Sequence, residues 1–187
     1  EKQQGKNYLK EQEGFSASAR RTDESFGSRV RPAFGWDIAI KTPGIKKELV
    51  KIPYTTATNI FFSKMRKNTI IGVTGSKGKS TTSTLIYEII KKSGKKVELL
   101  GNIGKPMLER LLKPVEKDII FVLELSSYQL DDIKFSPDIA VLTSLFPEHM
   151  DYHGSVGKYF DAKKNIINFQ DKNGFFIYNK NSKDAKS

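Results

Sequence analysis

The chain of 187 residues contains no cysteine. Disulfides and thiolate metal sites are thereby excluded, and a reducing compartment is compatible with the composition. No apolar run approaches the roughly 20 residues that a membrane-spanning helix needs. The first residues lack the charged-then-apolar pattern of a secretory signal. The expectation is a soluble, cytoplasmic protein with no membrane insertion. Also missing are an arginine-rich arm, a zinc-ligand spacing, an aromatic RNA-binding strand and any internal repeat. These absences bear on the net charge of +11, which on its own would invite a nucleic-acid partner. The lysines are scattered along the chain instead. Their densest group, Lys91, Lys92, Lys95 and Lys96, falls where a helix should end, and cations before Gly94 are ordinary helix C-terminal chemistry. No nucleic-acid partner is expected.

What is present, at 37% hydrophobic residues, suffices for a packed core. The most informative stretch runs from Ile70 to Thr82. The apolar run Ile70-Ile71-Gly72-Val73 leads into Thr74-Gly75-Ser76-Lys77-Gly78-Lys79-Ser80-Thr81-Thr82 and then into a helical pattern with Leu85, Ile86, Ile89 and Ile90 expected on one face. Strand, glycine-rich turn and helix in that order form the setting of a phosphate-binding loop. Glycines let backbone N–H groups converge on an anion, and the helix N-terminus adds partial positive charge. Lys79 is expected to reach the terminal phosphates and the Ser80 hydroxyl to hold Mg²⁺. The spacing departs from the common loop, which would place glycine at Val73. A tight strand-to-helix turn with a solvated lysine is the plainer alternative.

Residues 1–35 are polar, without a clear period, and remain unassigned. Residues 36–40 read as a short strand, Thr42-Pro43-Gly44-Ile45 as a turn, and 59–62 as the start of a link. Downstream the alternation is regular. A helix is expected over 79–93, a strand over 96–100, a helix over 107–112, and apolar strands over 118–125 and 137–145. A helix with Tyr159, Ala162, Ile166 and Phe169 on one face should end near Gln170, followed by a strand over 175–178. This pattern predicts an α/β fold with a parallel sheet and right-handed crossovers.

Several polar residues stand where such a sheet places chemistry, at the carboxyl ends of strands. Glu124 ends an apolar run. It reads either as an anchor for Mg²⁺ or as a buried glutamate paired with a lysine such as Lys79. His149 follows the next strand and is either a functional or a solvated loop residue. Asn102, in Gly101-Asn102-Ile103-Gly104, could occupy a left-handed turn. Lys163, by charge pattern alone, reads as solvated.

Four ordered segments resemble one family, the Mur ligases. They are the loop 75–82, Gly101-Asn102-Ile103-Gly104-Lys105-Pro106, Leu123-Glu124-Leu125-Ser126-Ser127-Tyr128-Gln129-Leu130, and His149-Met150-Asp151 followed by Ala162-Lys163. The third segment is most similar to the member that adds D-glutamate to UDP-N-acetylmuramoyl-L-alanine. Thr42-Pro43-Gly44-Ile45 resembles a turn of that member's UDP-binding domain. The resemblance implies a P-loop ATPase domain over 67–187, incomplete. Residues 36–66 would be the remnant of a Rossmann-like, UDP-binding N-terminal domain with its linker.

It further implies an ATP-dependent amide ligase of peptidoglycan precursor synthesis, acting as a monomer through an acyl phosphate. Gly75, Ser76, Lys77, Gly78, Lys79, Ser80 and Thr81 would bind ATP. Ser80, Glu124, His149 and Lys163 would hold Mg²⁺, with Lys163 carbamylated. Lys79, His149 and Lys163 would be catalytic, and Thr42, Pro43, Gly44, Asn102, Ser126 and Gln129 would contact substrate. A complete ligase of this kind has three domains, so the chain is expected to be a fragment without the C-terminal domain and inactive alone. Two other readings are a folylpolyglutamate synthase-type ligase, which should lack the Leu-Ser-Ser-Tyr-Gln run, and a non-enzymatic, basic nucleotide-binding fragment.

Overall fold

Apolar, β-branched runs become strands wherever both their faces can be covered. The computed structural model describes residues 38–180. The segment 1–35, and residues 36–37 of the first expected strand, lie outside the described residues. The strands are β1 (Ala39–Lys41), β2 (Tyr54–Thr56), β3 (Ile70–Thr74), β4 (Val97–Gly101), β5 (Ile120–Glu124), β6 (Ile139–Leu142) and β7 (Phe175–Tyr178). The α-helices are α1 (Ala57–Lys64), α2 (Lys79–Lys92), α3 (Met107–Arg110), α4 (Ser127–Leu130), α5 (Met150–His153) and α6 (Val156–Lys164).

β1 and β2 pair in parallel as a two-stranded sheet, and the other five strands form a parallel sheet in the order β4-β5-β3-β6-β7. Residue alternation sends side chains to two layers. Ile70, Phe121 and Leu123 join Phe61, Phe62, Met65, Leu130 and Ile166 on one face. Ile71, Val73, Val122 and Val141 meet Ile86 and Ile90 of α2 on the other. Strands buried on both sides explain why β3 and β5 read as nearly continuous apolar runs.

Several elements differ from the sequence expectation. The expected link at 59–62 is part of α1, capped by the Thr56 hydroxyl accepting from Asn59 N–H. The strand expected over 137–145 is confined to Ile139–Leu142, and the helix expected to reach Gln170 ends at Lys164. Phe169 is consequently exposed rather than part of a buried face. On α2, Leu85 and Ile89 are 57% and 66% exposed. A straight helix touches a sheet along a narrow stripe, and Ile86 with Ile90 fill it.

Candidate active site at the carboxyl rim of the sheet

β3 is the strand from which the order runs outward both ways, to β5 and β4 on one side and to β6 and β7 on the other. Open parallel sheets bind ligands in the crevice at that switch point. The loop leaving β3, the residues after β5 and the loop after β6 all converge there. In register, Val73 of β3 lies opposite Glu124 of β5 and Val141 of β6.

The β3–α2 loop is a cradle with its back braced. Gly75 has φ 148°, and a Cβ there would stand 2.0 Å from Thr143 Oγ1, so only glycine permits the approach. Thr143 Oγ1 donates to Lys77 O at 2.6 Å, and Lys77 N–H donates to Ser144 Oγ at 2.9 Å. Gly78 caps α2 with φ 83° and offers no side-chain partner. The N–H groups at the start of α2 are thus uncapped by a side chain, beside exposed Ser80 and Thr81. Lys79 Nζ donates to Gly75 O at 3.0 Å and to Ser76 O at 2.8 Å. The solvated-lysine alternative therefore does not describe Lys79.

Glu124 is 2% exposed. Its Oε1 accepts from Asn102 Nδ2 at 3.3 Å, while its buried Oε2 has no hydrogen-bond partner. Its neighbour is thus Asn102 and not Lys79. A buried carboxylate oxygen left unpaired is costly, and a hard cation is the natural complement of such an atom. The residues present fit a magnesium ion at this corner. Gly101 and Gly104, rather than Asn102, take the left-handed positions of their loop, with φ 108° and 77°. A Cβ on Gly101 would stand 2.3 Å from Glu124 O, so the glycine lets the Asn102 loop close onto Glu124.

Lys163 overturns the solvated reading its charge suggested. It is 3% exposed, and Nζ donates to Gly75 O at 2.8 Å and to Thr74 Oγ1 at 3.4 Å. Burial, and then the nearby Lys79 charge, push its ammonium from the ordinary 10.5 down to about 7, with Glu148 opposing. A large share of this amine is therefore neutral, and nucleophilic, at physiological pH.

His149 is the single non-glycine residue of positive φ among the described residues, at φ 57° and ψ 41°. That conformation is uncommon outside glycine and asparagine and is held here by the start of α5. Its exposed ring lies 5.0 Å from that of Tyr128 and 6.3 Å from that of Tyr159. One turn later, His153 was not singled out from the sequence. It is 5% exposed, its Nε2 lies 3.0 Å from Ser127 Oγ, and burial lowers its pKa. The available signal was its closeness in sequence to His149; in the fold both rings lie near that of Tyr128, at 5.0 and 5.7 Å.

The remaining expected contacts are placed as follows. Ser126 and Gln129 form a capping box on α4: Ser126 Oγ accepts from Gln129 N–H at 3.3 Å, and Gln129 Oε1 accepts from Ser126 N–H at 2.9 Å. Thr42, Pro43 and Gly44 form a turn closed by Ile45 N–H donating to Thr42 O at 3.2 Å. Tyr152 Oη donates to Ile45 O at 3.3 Å, so this turn borders α5. Beneath it, buried Lys41 pairs with Asp132 at 2.5 Å.

Residues 73–187 match the family described as the Mur ligase middle domain. Similar curated proteins include the UDP-N-acetylmuramoylalanine--D-glutamate ligase of Clostridium acetobutylicum, 42% identical over 155 residues, covering 79% of this chain and 33% of that protein. The ligase of the same name from Ruminiclostridium cellulolyticum is 39% identical over 160 residues, covering 82% and 34%. The chain thus spans about a third of the length of the curated relatives it matches. Among solved structures, the MurF ligase of Thermotoga maritima in complex with ADP is similar at a TM-score of 0.55 and 20% identity, over 76% of this chain and 37% of that one. A UDP-N-acetylmuramate:L-alanyl-gamma-D-glutamyl-meso-diaminopimelate ligase from Neisseria meningitides is similar at 0.57 and 18%, over 82% and 55%. At these identities the structural likeness shows the fold.

Proposed function

The chain belongs to the Mur ligase family, and from that premise we propose that it is part of an ATP-dependent ligase joining D-glutamate to UDP-N-acetylmuramoyl-L-alanine. The observation that carries the reading is the meeting of a phosphate loop with a buried, near-neutral lysine. Lys163 Nζ lies 2.8 Å from the Gly75 carbonyl. Glu124, with its unpaired Oε2, ends β5, the strand hydrogen-bonded beside β3.

The reaction transfers the γ-phosphoryl group of ATP to the substrate carboxylate, breaking the bond from the γ-phosphorus to the bridging oxygen and giving an acyl phosphate and ADP. The amine of D-glutamate then attacks the acyl carbon. The C–N bond forms, the C–O bond to phosphate breaks, and the amine loses its proton. Two anions must be brought together, so positioned cations supply most of the acceleration. In this reading the uncapped N–H groups of α2 and the Lys79 ammonium hold the phosphates. Glu124, Ser80, His149 and a carbamate on Lys163 would hold Mg²⁺. When bound, the metal neutralises phosphate charge and orients the transferring group. The lowered pKa of Lys163 supports the carbamate, because only a neutral amine attacks CO₂. Asn102 holds Oε1 of Glu124 and faces the substrate, with Ser126 and Gln129 further contacts. Residues 36–66, including the turn of Thr42, Pro43 and Gly44, are assigned to the edge of a UDP-binding domain, and residues 67–187 to the ATPase domain.

A graft tests the assignment. Residues 38–180 replace the matching segment of the Clostridium acetobutylicum ligase, and amide product and phosphate release are measured. Turnover that falls with Lys163→Ala supports the proposal, and full activity of that variant sinks it. The 187-residue chain alone is expected to form no product from the three substrates.

A further inference from the structure

Ser76 sits in the middle of the loop sequence, yet neither of its hydrogen-bond donors faces the cradle. Its backbone N–H donates to Ser144 O at 2.9 Å. Its hydroxyl donates to Phe146 O at 2.7 Å, which uses its one hydrogen. Around Oγ two donors remain, Phe146 N–H at 3.0 Å and the Tyr159 hydroxyl at 2.9 Å. With the serine proton committed, Tyr159 must be the donor of that last bond. One hydrogen given and two accepted saturate the hydroxyl. Ser76 is 4% exposed and Tyr159 0%, so water has no route to replace a lost partner.

Tyr159 and Lys163 are four residues apart on α6, hence on one face of it. They grip consecutive residues of the loop: Lys163 takes the carbonyl of Gly75, and Tyr159 takes the side chain of Ser76. The Tyr159 ring also lies 4.9 Å from Lys163 Nζ and 5.4 Å from the ring of His153. We infer that Tyr159 and Ser76 are positioning residues, a buried clamp by which α6 sets the shape of the phosphate loop, and that Ser76 is not itself a nucleotide contact. The inference rests on the phosphate-loop reading proposed above.

The experiment titrates the chain with Mg·ADP by calorimetry, at a temperature where circular dichroism shows every variant folded. Tyr159→Phe keeps the ring and removes only the hydroxyl. It and Ser76→Ala should each weaken binding about tenfold, as loss of an outer supporting partner does. Because both remove the same bond, the double variant should bind within about twofold of the weaker single one. Tyr54→Phe serves as the structural control, since it removes a hydroxyl bonded to Asp132 at 2.9 Å. It should lower Tm and leave Mg·ADP affinity unchanged. If Ser76→Ala does not fold, Tyr159→Phe and the hydroxyl-retaining Ser76→Thr decide. Wild-type binding that Tyr159→Phe leaves unaltered overturns the clamp alone. Absence of any wild-type binding overturns the phosphate-loop reading, and the clamp with it.

Discussion

At the amino ends of β3, β4 and β5 stand Lys67, Lys95, Lys96 and Lys117, all exposed. At the carboxyl ends, Lys163 is buried and Lys79 is folded onto the loop. The amino rim is held by side chains bonded to backbone groups. Asn68 Nδ2 donates to the carbonyls of Glu116, Lys117 and Ile119 at 2.9, 3.2 and 3.1 Å, and Asp138 Oδ2 accepts from Ile70 N–H at 2.7 Å. Among the described residues its ion pairs are closed: Lys96 with Glu116 is exposed, and Arg110 Nε meets Glu98 Oε1 at 2.7 Å near the start of β4. The carboxyl rim instead keeps charged groups out of water and incompletely paired. One rim closes the sheet, while the other stores electrostatic cost where a ligand can relieve it. The same side chain thus means different things at the two ends.

The largest effect expected from breaking this contrast is on turnover. In the grafted ligase, Glu124→Ala or Lys163→Ala should lower kcat/KM by at least about 100-fold, the scale of losing one preorganised electrostatic partner. Lys96→Ala, assayed beside them, should leave it unchanged. Second comes pH. The folded pKa of Lys163, about 7, lies below its ordinary 10.5. The unfolded chain therefore binds more protons across that window, so this residue's contribution makes stability rise as pH increases from about 7 to about 10.5. The burial penalty is full below that range. Urea unfolding at several pH values should show the rise in the wild-type chain and its loss in Lys163→Met. Third, Asn68→Ala should destabilise the fold by about 1–3 kcal/mol by stranding buried carbonyls, with Mg·ADP affinity of the folded protein unaltered. A change in affinity there would break the division between the rims. Last and smallest, Lys96→Ala should leave Tm unmoved within error, since exposed pairs contribute little.

Much of the frame was legible in the sequence because its signals are local. β3, the loop and α2 announce themselves within a dozen residues, and β5 reads as buried because both its faces are covered. The ends were less legible. α1 was obscured because Thr58, Phe61 and Phe62 weaken helix propensity, and packing of Phe61 against Phe121 at 5.2 Å outweighs it. Leu85 was grouped with Ile86 because a helical pattern shows which residues are apolar, not how wide the covering surface is. The site divides in the same way. Lys79 and Ser80 follow from spacing, whereas the burial of Lys163 depends on Thr74 and Gly75, 89 and 88 residues away. No pattern of neighbours exposes such a pairing, and only the family resemblance singled that lysine out. Tyr159 was placed by its spacing on one helix face with Ala162 and Ile166, and all three are buried. Its hydroxyl partner, 83 residues away, lay beyond any periodicity.

The folded-back posture of Lys79 has one further consequence. Its ammonium is already solvated by the carbonyls of Gly75 and Ser76, so an arriving ligand enters a substitution, giving its oxygens for two neutral ones. Such an exchange has a threshold. A neutral or singly charged guest recovers little for the carbonyls it displaces, whereas a chain of phosphates offers charge-assisted bonds of roughly twice the strength. On the phosphate-loop reading proposed above, the loop would therefore sort its visitors by charge density before anything else about them is read.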